Sequence, residues 1–360
     1  MTVKEPEYVY YHAGGVRGCR PVLEGPGAHD TFTSIPVVDV SGIFSHDLAE
    51  RKRVAGEIGK AAREVGFFYA QNHNVPDEVV SKTFGSVQDF FALPLEKKME
   101  VHIHKSKSLR GYEPLFETKM DPTSKGDLKE AFTMGDDGAD PEQNPDTVPE
   151  TPGVRKNNWP KGEDDFRRQM YAYYNAVLNF SKKMMQIFAL ALDLPEDYFN
   201  ETTDKPMAGI RILHYPPQPT PTETNIGIGA HTDYDFFTLV CQGGVEALEV
   251  LNANGKWVPA PPKPRSFVVN IGDFLQRLTN GQFKSTVHRV VNKTGKERYS
   301  IPFFFSPNPS ATLSVLPSCR VPGETYEEVN AGEYFHKRLL AARYKHPESV
   351  ERATEIAAVA

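Results

Sequence analysis

The chain has 360 residues, with 41 Lys plus Arg against 47 Asp plus Glu, a net charge of −6 and 39% hydrophobic side chains, the profile of a globular protein. The mildly acidic balance, with no basic block longer than Arg51-Lys52-Arg53, argues against nucleic acid, and no apolar run reaches the roughly 18 residues of a membrane span. Cys19, Cys241 and Cys319 are too few and too far apart for a disulfide framework or a thiolate site, so a metal would need His and carboxylate ligands. Charges between Met1 and Tyr11, where a signal peptide would be apolar, set the expectation of a cytoplasmic protein.

The 29 Pro and 27 Gly raise the question of where the loops lie. Residues 1–34 are rich in both and lack a period, and read as an extended arm rather than a core element. A strand is expected at Ile35–Val40, a helix at Asp47–Val65, a strand at Gly66–His73 and a second helix from Asp77 until Pro94 stops it. Residues 104–162 hold no period, and a loop of that length inside a domain is usually functional or mobile. Phe166, Met170, Tyr173, Val177, Phe180, Met184 and Ile187 then recur at helical spacing within Glu163–Leu194, the stripe of a helix laid on a core.

From Gly209 the period changes to two. Strands are expected at 210–215, 236–242, 248–251, 257–260, 266–271, 286–291 and 298–305, several of them separated by hairpin chemistry at Asn254-Gly255, Asn280-Gly281 and Asn292–Lys296. Seven short strands with tight turns read as a sandwich or barrel. A helix over Ala331–Tyr344 and an alanine-rich tail close the chain. The expected layout is an extended arm (1–34), a helical layer with a few strands and a long loop (35–200), a β core (201–330) and C-terminal helices (331–360), forming one compact unit.

Two His-x-Asp/Glu triplets occur, about what chance supplies. His346-Pro347-Glu348 has no later histidine to join it and reads as surface charge. His231-Thr232-Asp233 has better company: on extended chain its first and third side chains share a face, and His288 follows in KSTVHRVV, on a strand that could face it across a barrel. Two imidazoles and one carboxylate on one side of a metal make the facial triad that suits Fe(II) and leaves positions open. Arg298 and Ser300 share a face at the start of the apolar strand RYSIPFFF, and a hairpin through Asn292–Lys296 would bring that face beside His288. An arginine there is costly unless it meets an anion, and its planar fork suits a carboxylate.

The ordered motifs LHYPP (213–217), HTDY (231–234), NIGD (270–273), NGxxKSTVHRV (280–290) and RYSIPFF (298–304) resemble the isopenicillin N synthase-like branch of the Fe(II)/2-oxoglutarate-dependent oxygenases. IPVVDVSG, GFFYAQNH, FFALPLEKK, RGYEP and DLKEAFTMG extend the resemblance to about residues 35–345. It implies an α+β fold with a mainly β core, a double-stranded β-helix (jelly roll) with flanking helices. It also implies a dioxygenase using Fe(II), 2-oxoglutarate and O₂, with iron ligands at His231, Asp233 and His288 and a 2-oxoglutarate clamp at Arg298, Ser300 and Tyr215. Many relatives carry Asn where Leu213 stands and Gly where Asp235 stands, so one contact to 2-oxoglutarate is missing and an extra carboxylate is expected beside Asp233.

The partner implied is a small-molecule substrate, of the kind met in secondary metabolism, acted on by a monomer or homodimer. Relatives resembling the fungal pyrimidine hydroxylases line the substrate pocket at positions matching Arg211, Tyr234 and Phe304. Arg110, Tyr112 and Phe116, in the loop of residues 105–119, would come near its mouth. The sequence does not choose the substrate or the outcome among hydroxylation, desaturation, ring closure and epoxidation. An oxidase of this fold that does without 2-oxoglutarate, and a metal-bearing scaffold without turnover, are the competing readings.

Overall fold

The computed structural model describes residues 7–14, 16–106, 108–118, 126–137, 156–218, 226–322, 326–341 and 343. The amino-terminal half runs through β1 (Tyr8–Ala13), β2 (Val16–Pro21), β3 (Val37–Asp39), α1 (Leu48–Glu64), β4 (Phe67–Gln71), α2 (Asp77–Ala92), α3 (Leu95–Glu100), β5 (Gly111–Glu113), β6 (Glu130–Gly135) and α4 (Asp164–Ala191). Asp47 caps α1 by accepting from the Ala49 N–H at 2.9 Å, one of the donors a helix start leaves unpaired. The seven-residue stripe of α4 is buried throughout and packs on α1, α2 and the outer faces of two barrel strands. Each large apolar side chain so covered contributes roughly 1.5–3 kcal/mol.

The second half supplies β7 (Ala208–Tyr215), β8 (Ile228–His231), β9 (Phe237–Gln242), β10 (Leu248–Leu251), β11 (Trp257–Pro259), β12 (Ser266–Ile271), α5 (Asp273–Leu278), β13 (His288–Val290) and β14 (Arg298–Phe305), then a short ladder of β15 (Thr312–Leu313) with β16 (Val329–Asn330), and α6 (Ala331–Ala341). An eight-stranded sheet runs β3-β4-β12-β9-β14-β7-β6-β5, and a six-stranded sheet runs β11-β10-β13-β8-β1-β2. The two enclose the jelly-roll cavity. Along β14 the period of two sorts the side chains: Ile301, Phe303 and Phe305 face the helical layer, while Arg298, Ser300, Pro302 and Phe304 face the cavity. Among the described residues no helix is long and apolar enough to cross a membrane.

Four expectations need correction. The arm contains a hairpin, β1 with β2, which extends the smaller sheet by pairing His12 with His231; its strands had no apolar alternation to betray them because both faces are largely exposed or half-buried. Asn280-Gly281 is no hairpin. With φ of +50° and +80° it ends α5, the Gly281 N–H donating back to Gln276 O at 2.8 Å, a left-handed helix stop. The link Asn292–Lys296 crosses between sheets, since β13 pairs with β8 and β10 whereas β14 pairs with β7 and β9. Arg298 therefore meets the cavity from the sheet opposite His288. The expected loop of residues 104–162 carries β5 and β6, which pair with each other and, through β6, with β7; its residues 107, 119–125 and 138–155, and the tail beyond residue 343, lie outside the described residues.

Candidate active site

His231 ends β8 and His288 opens β13, and these residues are direct partners in an antiparallel pair. They stand side by side, ring centroids 4.3 Å apart, rather than facing across the barrel. Each ring has its Nδ1 on a backbone carbonyl, His231 on Gly229 O at 2.7 Å and His288 on Thr286 O at 3.2 Å. A carbonyl only accepts, so Nδ1 carries the proton and the Nε2 lone pair is left for a ligand. Both Nε2 atoms turn to Asp233 Oδ1, at 3.5 and 3.8 Å. The other oxygen, Oδ2, is held by the Thr238 hydroxyl at 2.6 Å and the Asn270 amide at 2.8 Å.

The three donors cluster, and the separations of 3.5 and 3.8 Å from Asp233 Oδ1 to the two Nε2 atoms are ones that a divalent ion with bonds of about 2 Å can span. Burial by itself would raise the Asp233 carboxyl, but the neighbouring imidazoles and Thr238 overcome it and hold the group well below the usual carboxylate range. Burial, followed by the His231 ring, lowers His288 to about 4. The triad thus presents one anion and a neutral imidazole at His288 at ordinary pH, the state a divalent metal needs.

Arg298 is 1% exposed. Its Nε donates to Val245 O and its Nη1 to Ser300 Oγ, both at 3.2 Å, and it lies 4.7 Å over the Tyr215 ring. Among the described residues no carboxylate pairs with it. The Tyr215 hydroxyl is buried close to Ser300 and the Arg298 guanidinium without a well-aligned hydrogen bond to either. Leu213, Val240, Leu248 and Val290 wall this end. An unneutralised guanidinium and an orphan hydroxyl in an apolar pocket fit an anion with hydrogen-bonding oxygens, and the far carboxylate of 2-oxoglutarate is such a group.

At the opposite end Arg211, Tyr234 and Phe304 line the cavity. Arg211 is also ion-paired to Glu113. Arg110, Tyr112 and Phe116 are not part of the wall. Arg110 donates to Asp136 O and Asn157 Oδ1, Tyr112 is buried with its hydroxyl on Glu130, and Phe116 sits at a left-handed turn position, φ +61°. The same stretch of chain instead contributes Thr118, Asp127 and Lys129, and the carboxy-terminal end contributes Arg343. None of these four was singled out in the sequence: Asp127 and Lys129 fall in the DLKEAFTMG motif and Arg343 in the expected closing helix, and neither pattern says which side chains reach the cavity. Asp235 does not enlarge the cavity charge: it is buried outside the wall, accepts from Ser306 Oγ, and is raised to about 8 by burial and by Asp233.

A second group of donors, His102, His104 and Glu117, also lies within 4.8 Å of one another. There the His104 ring pairs with Glu117 at 2.8 Å and His102 Nδ1 accepts the His104 backbone N–H at 3.2 Å. The His104–Glu117 contact is closed at hydrogen-bond distance, whereas the Nε2 atoms of the first group stand 3.5 and 3.8 Å from the Asp233 oxygen they share.

Comparison with known proteins agrees with this geometry. Residues 35–162 match the family model described as non-haem dioxygenase in morphine synthesis N-terminal, and residues 206–307 match that of the 2OG-Fe(II) oxygenase superfamily. A 2-oxoglutarate-Fe(II) type oxidoreductase of Emericella nidulans is 36% identical over 327 residues, covering 87% of this chain and 93% of that protein. A homoarginine-6-hydroxylase of Oryza sativa subsp. japonica is 34% identical, covering 86% and 97%. A Neurospora crassa enzyme solved with alpha-KG superposes with a TM-score of 0.74 at 28% identity, covering 85% of this chain and 95% of that one. The chain belongs to the Fe(II)/2-oxoglutarate-dependent oxygenases, dioxygenases that use iron, 2-oxoglutarate and O₂ to oxidise small molecules.

Proposed function

We propose that His231, Asp233 and His288 hold the iron, that Arg298, Ser300 and Tyr215 clamp the far carboxylate of 2-oxoglutarate, and that the substrate occupies the end walled by Arg211, Tyr234 and Phe304, where one of its C–H bonds is oxidised. The observation that carries this reading is the orientation of the triad: both Nδ1 atoms are engaged on carbonyls, and both Nε2 atoms converge on one Asp233 oxygen.

When bound, iron and 2-oxoglutarate supply activation of O₂ coupled to the conversion of 2-oxoglutarate into succinate and CO₂. The chain's own residues do the rest. Thr238 and Asn270 keep Asp233 from rotating, so its Oδ1 stays aimed between the imidazoles. Arg298 neutralises the far carboxylate, Tyr215 and Ser300 add hydrogen bonds to it, and the apolar walls keep water away from the reacting region. Tyr234 and Phe304 fix which bond of the substrate lies nearest the metal, with hydroxylation as the default outcome. The test is succinate formation in step with product: Asp233→Ala should abolish both, and a variant with undiminished iron-dependent 2-oxoglutarate consumption would refute the ligand assignment.

A further inference from the structure

Beyond the triad and the clamp, the cavity carries an unbalanced charge. Lys129, Arg211 and Arg343 line its far end, and two carboxylates answer them. Glu113, 1% exposed, pairs one oxygen with Arg211 and the other with Arg343 Nε, the latter at 2.6 Å. Asp127 accepts Lys129 Nζ at 3.3 Å on one oxygen and the Gly229 N–H at 3.1 Å on the other. Both anions are fully engaged, three cations share two of them, and Arg211 Nε remains buried without a partner.

Neighbouring charges do not restore the balance. Arg338 is matched by Asp273 at 2.8 Å, and Asp235 faces Ser306. Burial lowers Lys129 to about 8 even with Asp127 beside it. A buried excess cation is expensive and is relieved by an incoming anion. A cationic substrate would add to the cost.

Resting on the functional reading above, we infer that the substrate presents a carboxylate, or a comparably acidic oxygen, to Arg211, Arg343 and Lys129, with its apolar body against Tyr234 and Phe304. Arg343 follows α6, so the carboxy-terminal segment takes part in choosing the substrate. The iron and the clamp decide the chemistry, and this cluster decides the charge class admitted.

The test is anaerobic calorimetry on the Fe(II) holoenzyme with saturating 2-oxoglutarate, which keeps acidic probes off the Arg298 end. Phenylacetate and 2-naphthylacetate are titrated beside their amides and the corresponding amines. An acid should bind at least roughly tenfold more tightly than its amide, and the amine should give no binding, since a hydrogen bond to a charged group outweighs a neutral one by about that factor. Arg343→Met should weaken acid binding about tenfold and leave the amide and 2-oxoglutarate affinities unchanged. Lys129→Met should act in the same direction and serves if Arg343→Met does not fold. Amides or amines binding as well as the acids, no binding by either acid, or acid affinity indifferent to both variants would overturn the inference. Failure of wild-type holoenzyme to bind 2-oxoglutarate would overturn the functional reading instead.

Discussion

The two ends of the cavity are built on opposite plans. The Arg298 end, which we propose for 2-oxoglutarate, is apolar, with one buried arginine, a serine and a tyrosine carried at alternate positions of adjacent strands β14 and β7. The far end holds five charged groups, from β5, from the segment just before β6, from β7 and from beyond α6. A cation left single in a dry pocket makes a site for one anion of fixed shape. A shared network of three cations and two anions accepts a class of anion and depends on distant segments for its assembly. On the proposed assignment reaction and selectivity are separable, and substitutions should divide accordingly.

The largest effect should come where neither end is touched. Asp233→Ala removes the only anion of the triad and should lower iron-dependent turnover by more than roughly 100-fold, beyond the loss typical of groups that merely support a ligand; metal content and succinate yield report it. Glu113→Gln should break the far end through stability, leaving two buried guanidiniums without their anion, at a cost of about 3 kcal/mol by chemical denaturation. An unchanged midpoint would mean the cluster is not held by that carboxylate.

Tyr215→Phe sharpens the contrast from the other side. Its hydroxyl is an orphan in the cavity, so the variant should raise the 2-oxoglutarate requirement by about two- to tenfold while leaving the unloaded protein as stable as before or more so. Lost stability would show that the hydroxyl has a structural partner.

The smallest effect is a pH dependence. Lys129 titrates at about 8 in the folded chain against 10.5 for a free lysine, so between these values the unfolded state binds more protons and stability rises with pH. The cost of burying the charged form is fully present below about 8. Lys129→Met should flatten that rise relative to wild type, as measured by unfolding free energy across the window, and parallel curves would remove the burial argument.

How much of this was legible in the sequence follows the same division. Arg298, Ser300, Tyr215 and Phe304 lie on strands whose period of two is written in the residues, His231 and Asp233 show through their His-x-Asp spacing, and α4 announces itself by its buried stripe. The period gives the face of a side chain but not the sheet it belongs to, so His231 and His288 were expected across the barrel and are neighbours, while Arg298 was expected in a hairpin with His288 and comes from the opposite sheet. β8 was missed because IGAH is short and glycine-bearing. Asp127, Lys129 and Arg343 were invisible as a cluster, since only long-range contacts bring residues 127 and 343 together. Arg110, Tyr112 and Phe116 had been assigned to the mouth from a loop whose conformation no local pattern specifies.

The central claim is that Arg298 is the anchor of 2-oxoglutarate while the His-Asp-His triad independently holds the metal. Titrating 2-oxoglutarate into anaerobic Fe(II)-loaded wild type and Arg298→Leu, with iron content measured on the same samples, tests it directly. The account predicts one equivalent bound by wild type, at least roughly tenfold weaker binding by the variant, and equal iron in both. Equal 2-oxoglutarate affinity in the two proteins would contradict it.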